Sequence, residues 1–170
     1  DGFELAVRAV VGQQISVAAA TTLLGRIARC FGAALDGAPT GLDRTFPEAG
    51  VVAALAPAEL GAIGLTPARA RTIVALATEV TRGLDLAPAA LPPVTLERLA
   101  AVPGVGPWTV QYVALRALGQ PDAFPHTDLG VMKALAETQP ARVLARAEAW
   151  RPWRGYAAMH LWRRLARTSP

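Results

Sequence analysis

The sequence feature that most constrains the fold is a short run of prolines and glycines between two segments of helical pattern. Residues 102–107 read Val-Pro-Gly-Val-Gly-Pro. Pro107 suits the first turn of a helix, because the N–H that proline lacks is not needed there, and Gly119 can end that helix. Thr95 is expected to cap a short helix before the run. The pattern therefore predicts a helical hairpin over residues 99–119, with a tight turn at its centre.

The rest of the chain carries the same helical signature. Apolar residues recur at helical spacing, and no segment shows the sustained two-residue alternation of a half-buried strand. Thr66 and Pro67 are expected to begin a helix that Gly83 ends, and residues 36–50 are expected to form a loop. Helical pattern also extends over 3–31, 140–149 and 153–168. The sequence predicts an all-α fold without a substantial sheet.

The turn at the centre of the hairpin has the features of an anion site. The backbone amides of Gly104 and Gly106, together with the start of the following helix, can surround a negatively charged group. On a nucleic-acid duplex that group is a phosphate, and phosphate contacts position a protein without reading the base sequence. The alternative is a helix connector that binds no ligand.

Basic residues are concentrated at one end of the 170-residue chain. Residues 140–170 carry seven arginines and one acid, Glu148, whereas the remainder carries ten basic and twelve acidic residues. This asymmetry permits a polyanionic partner, although arginine-rich helices are also common on solvated surfaces. No apolar run approaches the length of a membrane span and no signal peptide is recognisable, so no membrane partner is expected. The abrupt start in helical pattern favours a domain of a larger protein.

The single cysteine, Cys30, limits the redox and metal chemistry that the chain can support. One thiol cannot form an intramolecular disulfide, a four-thiolate zinc site or an iron–sulfur cluster. Its neighbours are apolar, so Cys30 is expected to be a small buried residue in a protein of a reducing compartment. His126 is expected in a loop and His160 in the core, and the sequence offers no metal-ligand cluster.

Three motifs in a fixed order resemble a known family. The hairpin is followed by Asp128, which ends a proline-containing loop and begins a further helix. Residues 9–16 read Ala-Val-Val-Gly-Gln-Gln-Ile-Ser, and residues 150–162 begin and end with tryptophan. This arrangement resembles the helix-hairpin-helix (HhH-GPD) DNA glycosylase superfamily, and within it the bacterial 3-methyladenine DNA glycosylase II type. The resemblance extends over nearly the whole chain.

The resemblance implies a two-lobed helical fold with an active-site cleft between the lobes. One lobe is expected to contain residues 1–31 and 120–170, and the other to contain residues 32–119 with the hairpin. The family's N-terminal β-rich domain has no counterpart in these residues. The resemblance further implies damaged double-stranded DNA as the partner, a monomeric protein, and a cytoplasmic, nucleoid-associated location in a bacterium.

Asp128 matches the catalytic aspartate of the family. Breaking an N-glycosidic bond builds positive charge on the deoxyribose, and a nearby carboxylate can stabilise that charge and orient a water molecule. The simpler alternative is that Asp128 only caps the helix that follows it.

The lysine content favours one reaction class. Members of the superfamily that also cleave the DNA strand carry a nucleophilic lysine in the helix after the hairpin, and Trp108 occupies that position here. Lys133 is the only lysine in the chain, and it is interpreted as a phosphate contact or a surface residue. The resemblance therefore implies a monofunctional glycosylase that uses water and has no lyase activity.

Aromatic residues at motif positions indicate the substrate. Trp108 and Tyr112 are four residues apart and share a helix face, and Trp162 matches a pocket tryptophan of the family. Such an electron-rich slot would favour flipped, cationic purines such as 3-methyladenine and 7-methylguanine. The alternative is core packing, which is also expected for Trp150, Trp153 and Tyr156. Two other functions remain open: a glycosylase for deaminated, mismatched or oxidised bases, and a non-catalytic DNA-binding module of a fusion repair protein.

Further contacts to DNA are expected around the hairpin. Gln14 occupies the position of the family's wedge residue, which fills the gap left by a flipped base, and Gln13 is a second candidate. The other residues expected to contact DNA are Gly104, Val105, Gly106 and Thr109. The resemblance also implies a monovalent cation, Na⁺ or K⁺, as the one candidate cofactor. Its expected ligands are the backbone carbonyls of Ala100, Val102 and Val105.

Overall fold

The structure is a computed structural model that describes residues 1–39, 41–88 and 92–168. Within these ranges it contains ten α-helices, one 3₁₀ helix, and no strand beyond an isolated antiparallel bridge between Ala34 and Arg44. The α-helices are α1 (Gly2–Val11), α2 (Val17–Phe31), α3 (Ala49–Ala53), α4 (Pro57–Ala62), α5 (Pro67–Thr81), α6 (Pro92–Ala101), α7 (Pro107–Arg116), α8 (Leu129–Ala134), α9 (Pro140–Ala147) and α10 (Arg154–Thr168). The 3₁₀ helix, Glu148–Trp150, precedes α10. The all-α prediction is confirmed.

The helical pattern of residues 3–31 is divided between two helices. Asp1 caps α1 by accepting the amide of Phe3 at 2.8 Å, and Ser16 caps α2 by accepting the amide of Ala19 at 3.2 Å. Between them the backbone of Gln14 has a φ of 57°, which is the left-handed region. The serine cap therefore begins a new helix where the apolar spacing alone suggests continuity.

The predicted helix ends are confirmed for α5 and for the start of α7. The Thr66 hydroxyl accepts the amide of Arg69 at the first turn of α5, Pro67 occupies the first position, and Gly83 follows the helix with a φ of 88°. Pro107 is the first residue of α7, as expected.

Two local predictions are wrong. Thr95 does not cap α6, because that helix begins at Pro92 and Thr95 lies within it, 6% exposed. Proline at the first positions of a helix starts α6 earlier than the threonine signal indicates. The loop expected over residues 36–50 ends two residues early, because α3 begins at Ala49.

The buried apolar residues form two clusters. The first contains residues of α1 through α7, and the second contains Phe124, Val131, Val143, Ala147 and Ala158. Helix α1 packs against α5 and α7, so its buried face lies in the first cluster and not with residues 120–170. The apolar face of α1 packs on α5 and α7, a pairing that hydrophobic spacing cannot specify. The expected division of the chain into two lobes stays a prediction.

An ion-pair cluster fixes the start of α10 against the loop after α7. Arg154 donates two hydrogen bonds to the Asp122 carboxylate, at 2.8 and 2.9 Å, and Arg151 donates to both Asp122 and Glu148. Burial raises the pKa of Asp122, but the hydrogen bonds and charge of Arg154 outweigh it and leave the pKa below its ordinary value. The amide of Gly155 also donates to the carbonyl of Pro121. These contacts set the direction in which α10 leaves the loop.

Candidate active site

The carboxylate of Asp128 joins three helices. Its Oδ1 accepts the backbone amide of Val131 and the indole Nε1–H of Trp162, both at 2.8 Å, and its Oδ2 accepts the Nε1–H of Trp108 at 2.7 Å. Asp128 therefore caps α8 and also binds side chains from α7 and α10. A carboxylate offers about four acceptor positions, so one position on Oδ2 remains for a further donor. The cap and the candidate catalytic group are the same residue.

The aromatic side chains expected to form a base pocket lie together at this carboxylate. The rings of Trp108 and Tyr112 are stacked, with centroids 5.1 Å apart and planes at 22°. The rings of Tyr112 and Trp162 are 5.9 Å apart and tilted by 51°. Trp108 and Tyr112 pack against the first apolar cluster and Trp162 against the second. The candidate site therefore lies where the two clusters meet.

Gly130 is a site residue that the sequence interpretation missed. A Cβ at this position would lie 3.1 Å from Oδ1 of Asp128, 3.4 Å from Cδ1 of Trp162 and 3.5 Å from Cδ2 of Leu165. A side chain at this position would crowd the Asp128 carboxylate first and the Trp162 indole next. The available signal was a glycine in the first turn of a helix, where glycine costs about 1 kcal/mol relative to alanine.

The two glycines of the hairpin turn differ in whether the fold requires glycine at their positions. Gly104 has a φ of 87°, and a Cβ there would overlap the hydroxyl of Thr72 on α5. Gly106 has a φ of −94° and nothing lies within 4 Å of its Cβ position, so the fold itself does not require glycine there. Gly106 is also the N-cap of α7 and has no side chain that could occupy the first-turn amides. The space beside Gly106 is therefore open at the start of α7, where an anion could approach the end of the helix.

Two residues expected to contact DNA have other roles in the structure. The amide of Val105 donates to the carbonyl of Val102 at 3.0 Å, and Val105 is buried, so this amide closes the turn and is not free for a phosphate. Thr109 is only 1% exposed, and its hydroxyl accepts the side-chain amide of Gln13 at 2.9 Å. Thr109 therefore holds the chain near Gln14, which is itself exposed at the α1–α2 turn.

Several side chains assigned to the core are exposed. Cys30 is exposed because α2 buries only a narrow stripe around Leu24 and Ile27. His160 is exposed because it lies two residues from Trp162, on the opposite face of α10. Two aromatic residues, Trp153 and Tyr156, pack edge to face on each other and remain 57% and 59% exposed.

The remaining assignments of polar and aromatic side chains are compatible with the structure. Trp150 packs edge-on against Phe124, with centroids 5.9 Å apart, as expected for a core residue. His126 lies half-buried in the loop before Asp128, and Lys133 is exposed on α8. The described residues contain no group of three or more His, Cys, Asp or Glu side chains that could hold a metal ion. No helix in the described ranges has both the length and the apolar character needed to cross a membrane.

The comparison with protein families identifies the class of protein that carries this site. The family model described as HhH-GPD superfamily base excision DNA repair protein matches residues 7–154. This chain therefore belongs to the HhH-GPD superfamily of base excision DNA repair proteins, and the resemblance inferred from the three motifs is confirmed.

Individual relatives agree with this assignment. A probable bifunctional transcriptional activator/DNA repair enzyme AlkA of Mycobacterium tuberculosis is 39% identical, over 97% of this chain and 34% of that protein. DNA-3-methyladenine glycosylase 2 of Escherichia coli is 36% identical, over 95% of this chain and 57% of that protein. The solved structure of a 3-methyladenine DNA glycosylase from Archaeoglobus fulgidus has a TM-score of 0.86 and 26% identity, over 100% of this chain and 60% of that chain. This chain thus spans 34% to 60% of the length of these relatives.

Proposed function

We propose that this domain is a DNA glycosylase that removes alkylated purines, of the 3-methyladenine and 7-methylguanine kind, from double-stranded DNA in base excision repair. The observation that carries the proposal is the Asp128 carboxylate held by the indoles of Trp108 and Trp162. Trp108 lies two residues after Gly106, so the carboxylate is joined directly to the helix that begins at the hairpin turn. The names of the Escherichia coli and Archaeoglobus fulgidus relatives support this activity.

The chemistry assigned to Asp128 follows from its hydrogen bonds. All three partners donate to the carboxylate and none accepts from it, so it makes these bonds without a proton of its own. Its negative charge would stabilise the positive charge that develops on the deoxyribose as the glycosidic bond breaks. The remaining acceptor position on Oδ2 would hold the attacking water. The aromatic rings beside it would attract a cationic base.

We also propose that the reaction ends with base release and does not cleave the strand. Trp108 stands at the position where lyases of this superfamily carry their lysine, and its indole is bonded to Asp128. Lys133 is exposed on α8 and lies five positions after Asp128, on a different face of that helix. Without an amine at the carboxylate, water is the nucleophile that the site can use.

The DNA strand is proposed to bind at the hairpin turn, with a phosphate at the open first turn of α7 beside Gly106 and Gln14 in the gap left by the extruded base. A Na⁺ or K⁺ ion on the carbonyls of Ala100, Val102 and Val105 would add positive charge next to that phosphate. The carbonyl of Val102 already accepts one amide but keeps a second lone pair, so it is compatible with such an ion.

The substitution Asp128→Asn tests the proposal. Asparagine keeps one acceptor oxygen for the cap, but it has no negative charge and turns an NH₂ group toward an N–H donor. Single-turnover excision of 7-methylguanine from a duplex is expected to fall about 100-fold or more. Binding to a duplex with an uncleavable abasic analogue is expected to stay close to that of the parent protein.

Asp85→Asn is the matched control, because Asp85 also accepts a backbone amide, that of Ala87 at 2.8 Å, but in an exposed turn. It should excise the base at the parental rate. Excision by Asp128→Asn at that same rate would remove Asp128 from the mechanism. A parent protein that binds the duplex and releases no base from a panel of alkylated, deaminated and oxidised lesions would be a non-catalytic DNA-binding module.

Borohydride trapping tests the reaction class. Because no amine is available at the carboxylate, we expect reduction during turnover to yield no covalent protein–DNA complex, while base release proceeds. A lysine-bearing glycosylase/lyase, treated in parallel, shows that the reagent works. A complex that accumulates in proportion to base release would assign this protein to the lyases.

A further inference from the structure

We infer that Gln13 is a positioning residue, which ties the exposed Gln14 side chain to the two helices that hold the hairpin turn. This inference rests on the proposed function, because it assigns to Gln13, Thr109 and Arg69 the task of presenting Gln14 to the DNA. The two glutamines are adjacent, yet the structure gives them opposite surroundings: Gln13 is half-buried and bonded, and Gln14 is exposed.

The backbone at Gln14 needs support from its neighbours. Its φ of 57° lies in the left-handed region, which a residue with a side chain occupies only at a cost. Gly12 ends α1 and Ser16 caps α2, so the chain has only three residues in which to reverse between these two helices. Strained positions of this kind persist when the surrounding structure holds them, and they are frequent at functional sites.

Gln13 supplies that support through three hydrogen bonds in three directions. Its backbone amide donates to the carbonyl of Val10 at 3.4 Å. Its side-chain amide donates to the hydroxyl of Thr109 on α7 at 2.9 Å. Its carbonyl accepts from the guanidinium of Arg69 on α5. The residue before the strained position is therefore bonded to α1, α5 and α7 at once.

The same two helices, α5 and α7, hold the hairpin turn. Thr109 lies three residues after Gly106, in the first turn of α7. Arg69 lies three residues before Thr72 on α5, and Thr72 packs directly beneath Gly104. Each of the two helices thus contacts Gln13 with one residue. A second residue, three positions along the same helix, belongs to the hairpin turn or packs against it. The distance from the phosphate-binding turn to Gln14 is set before DNA arrives.

This arrangement has a catalytic consequence. A strand gripped at Gly106 meets a Gln14 side chain already in place to occupy the gap of an extruded base, so little ordering is needed at that step. Loosening Gln13 should therefore impair extrusion and leave hydrolysis of an already extruded base unaffected. A purely structural role would slow both substrates equally.

The experiment compares two variants on two duplexes. Thr109→Val removes the acceptor at nearly constant shape, and Thr109→Ser keeps it. Single-turnover excision is measured for 7-methylguanine paired with cytosine and for the same lesion opposite an abasic site, where extrusion costs less. We expect Thr109→Val to lose about tenfold or more on the paired lesion and to stay near the parental rate on the unpaired one. Thr109→Ser should restore the paired rate.

Two further variants separate this role from a loss of folding. Thr95→Val removes a different buried threonine hydroxyl and should affect neither duplex. Arg69→Gln breaks the second contact to Gln13 and should reproduce the pattern if Thr109→Val does not fold. In a Gln14→Ala background, Thr109→Val should cause no further loss, because it acts through Gln14.

Equal losses on both duplexes, or no loss on the paired lesion, would overturn the inference. If the parent protein releases no base, the proposed function fails, but extrusion can still be followed by the fluorescence of 2-aminopurine placed at the flipped position. In that measurement Thr109→Val must reduce the fluorescence increase on binding and Thr109→Ser must restore it. An unchanged increase with Thr109→Val would refute the positioning role without any catalytic assay.

Discussion

At the scale of single residues, the hairpin motif contains two glycines that a sequence pattern treats alike and the structure separates. Gly104 is required by the fold, because its backbone is left-handed and its α-carbon lies against Thr72. Gly106 has ordinary dihedral angles and open space at its Cβ position. The open space lies beside the uncapped first turn of α7, where a phosphate is proposed to bind.

These two glycines should therefore respond differently to alanine. Gly104→Ala should lower the free energy of unfolding by about 2 kcal/mol or more, through backbone strain and overlap with Thr72. Gly106→Ala should change it by less than about 1 kcal/mol, but its methyl group should weaken duplex binding. Thermal unfolding and a binding titration measure both effects. A Gly106 variant that binds DNA like the parent would show that the strand does not approach this position.

At the scale of secondary-structure elements, the α4–α5 pair resembles the α6–α7 hairpin but differs from it in the cap of its second helix. Gly64, with a φ of 107°, turns the chain before Pro67, much as Gly104 does before Pro107. In the first pair, however, Thr66 caps α5 with its own hydroxyl. An intrinsic cap occupies the position that an anion would take. Of these two helices, only the glycine-capped α7 has no side-chain cap at its start.

Helix α10 illustrates how an element that is distant from the hairpin in the sequence completes the site. Its start is anchored by the bidentate Arg154–Asp122 pair, and its middle delivers Trp162 to the carboxylate of Asp128. Tyr112 contacts Trp162, and Arg116 contacts Met159 at 3.6 Å. The later residue of α7 thus contacts the earlier residue of α10, so the two helices are antiparallel. The last turns of α10 lie toward the hairpin end of α7.

At the scale of the whole molecule, this antiparallel packing divides the arginines of the C-terminal segment. Arg151 and Arg154 are committed to Asp122 and Glu148 at the far end of α10. Arg163, Arg164 and Arg167 line a depression of about 380 Å³ with His160 at the hairpin end. Positive charge at that end can attract the flanking phosphates of a duplex held at the turn.

The salt dependence of DNA binding tests this distribution of charge. The double variant Arg163→Gln/Arg167→Gln should reduce the slope of log binding constant against log salt by about 1 for each phosphate that the protein no longer neutralises. Arg142→Gln/Arg146→Gln removes the same charge from α9, which packs beside the far end of α10, and should leave the slope unchanged. A slope for Arg163→Gln/Arg167→Gln equal to that of the parent protein would mean that these two arginines neutralise no phosphate.

Local signals were enough to establish the helical class, the hairpin and its turn, and the starts of α5 and α7, whereas the role of Asp128 was inferred from the family resemblance. Each of these depends on residues close together in the chain, such as proline at a first turn or a capping side chain. The two local predictions that were wrong, the cap at Thr95 and the start of α3, both concern helix ends, where several such signals compete.

The composition of the site, in contrast, was settled by the packing of helices that are distant in the sequence. The indoles that hold Asp128 are 20 and 34 residues away from it, and the Gln13–Thr109 bond joins residues 96 apart. Such contacts depend on how whole helices pack, which local sequence patterns do not specify. The aromatic pocket residues were expected only through the family resemblance. This is why Thr109 proved to be a buried anchor, why Gly130 was missed, and why α1 packs on α5 and α7: each outcome follows from which faces meet once the apolar surfaces are buried.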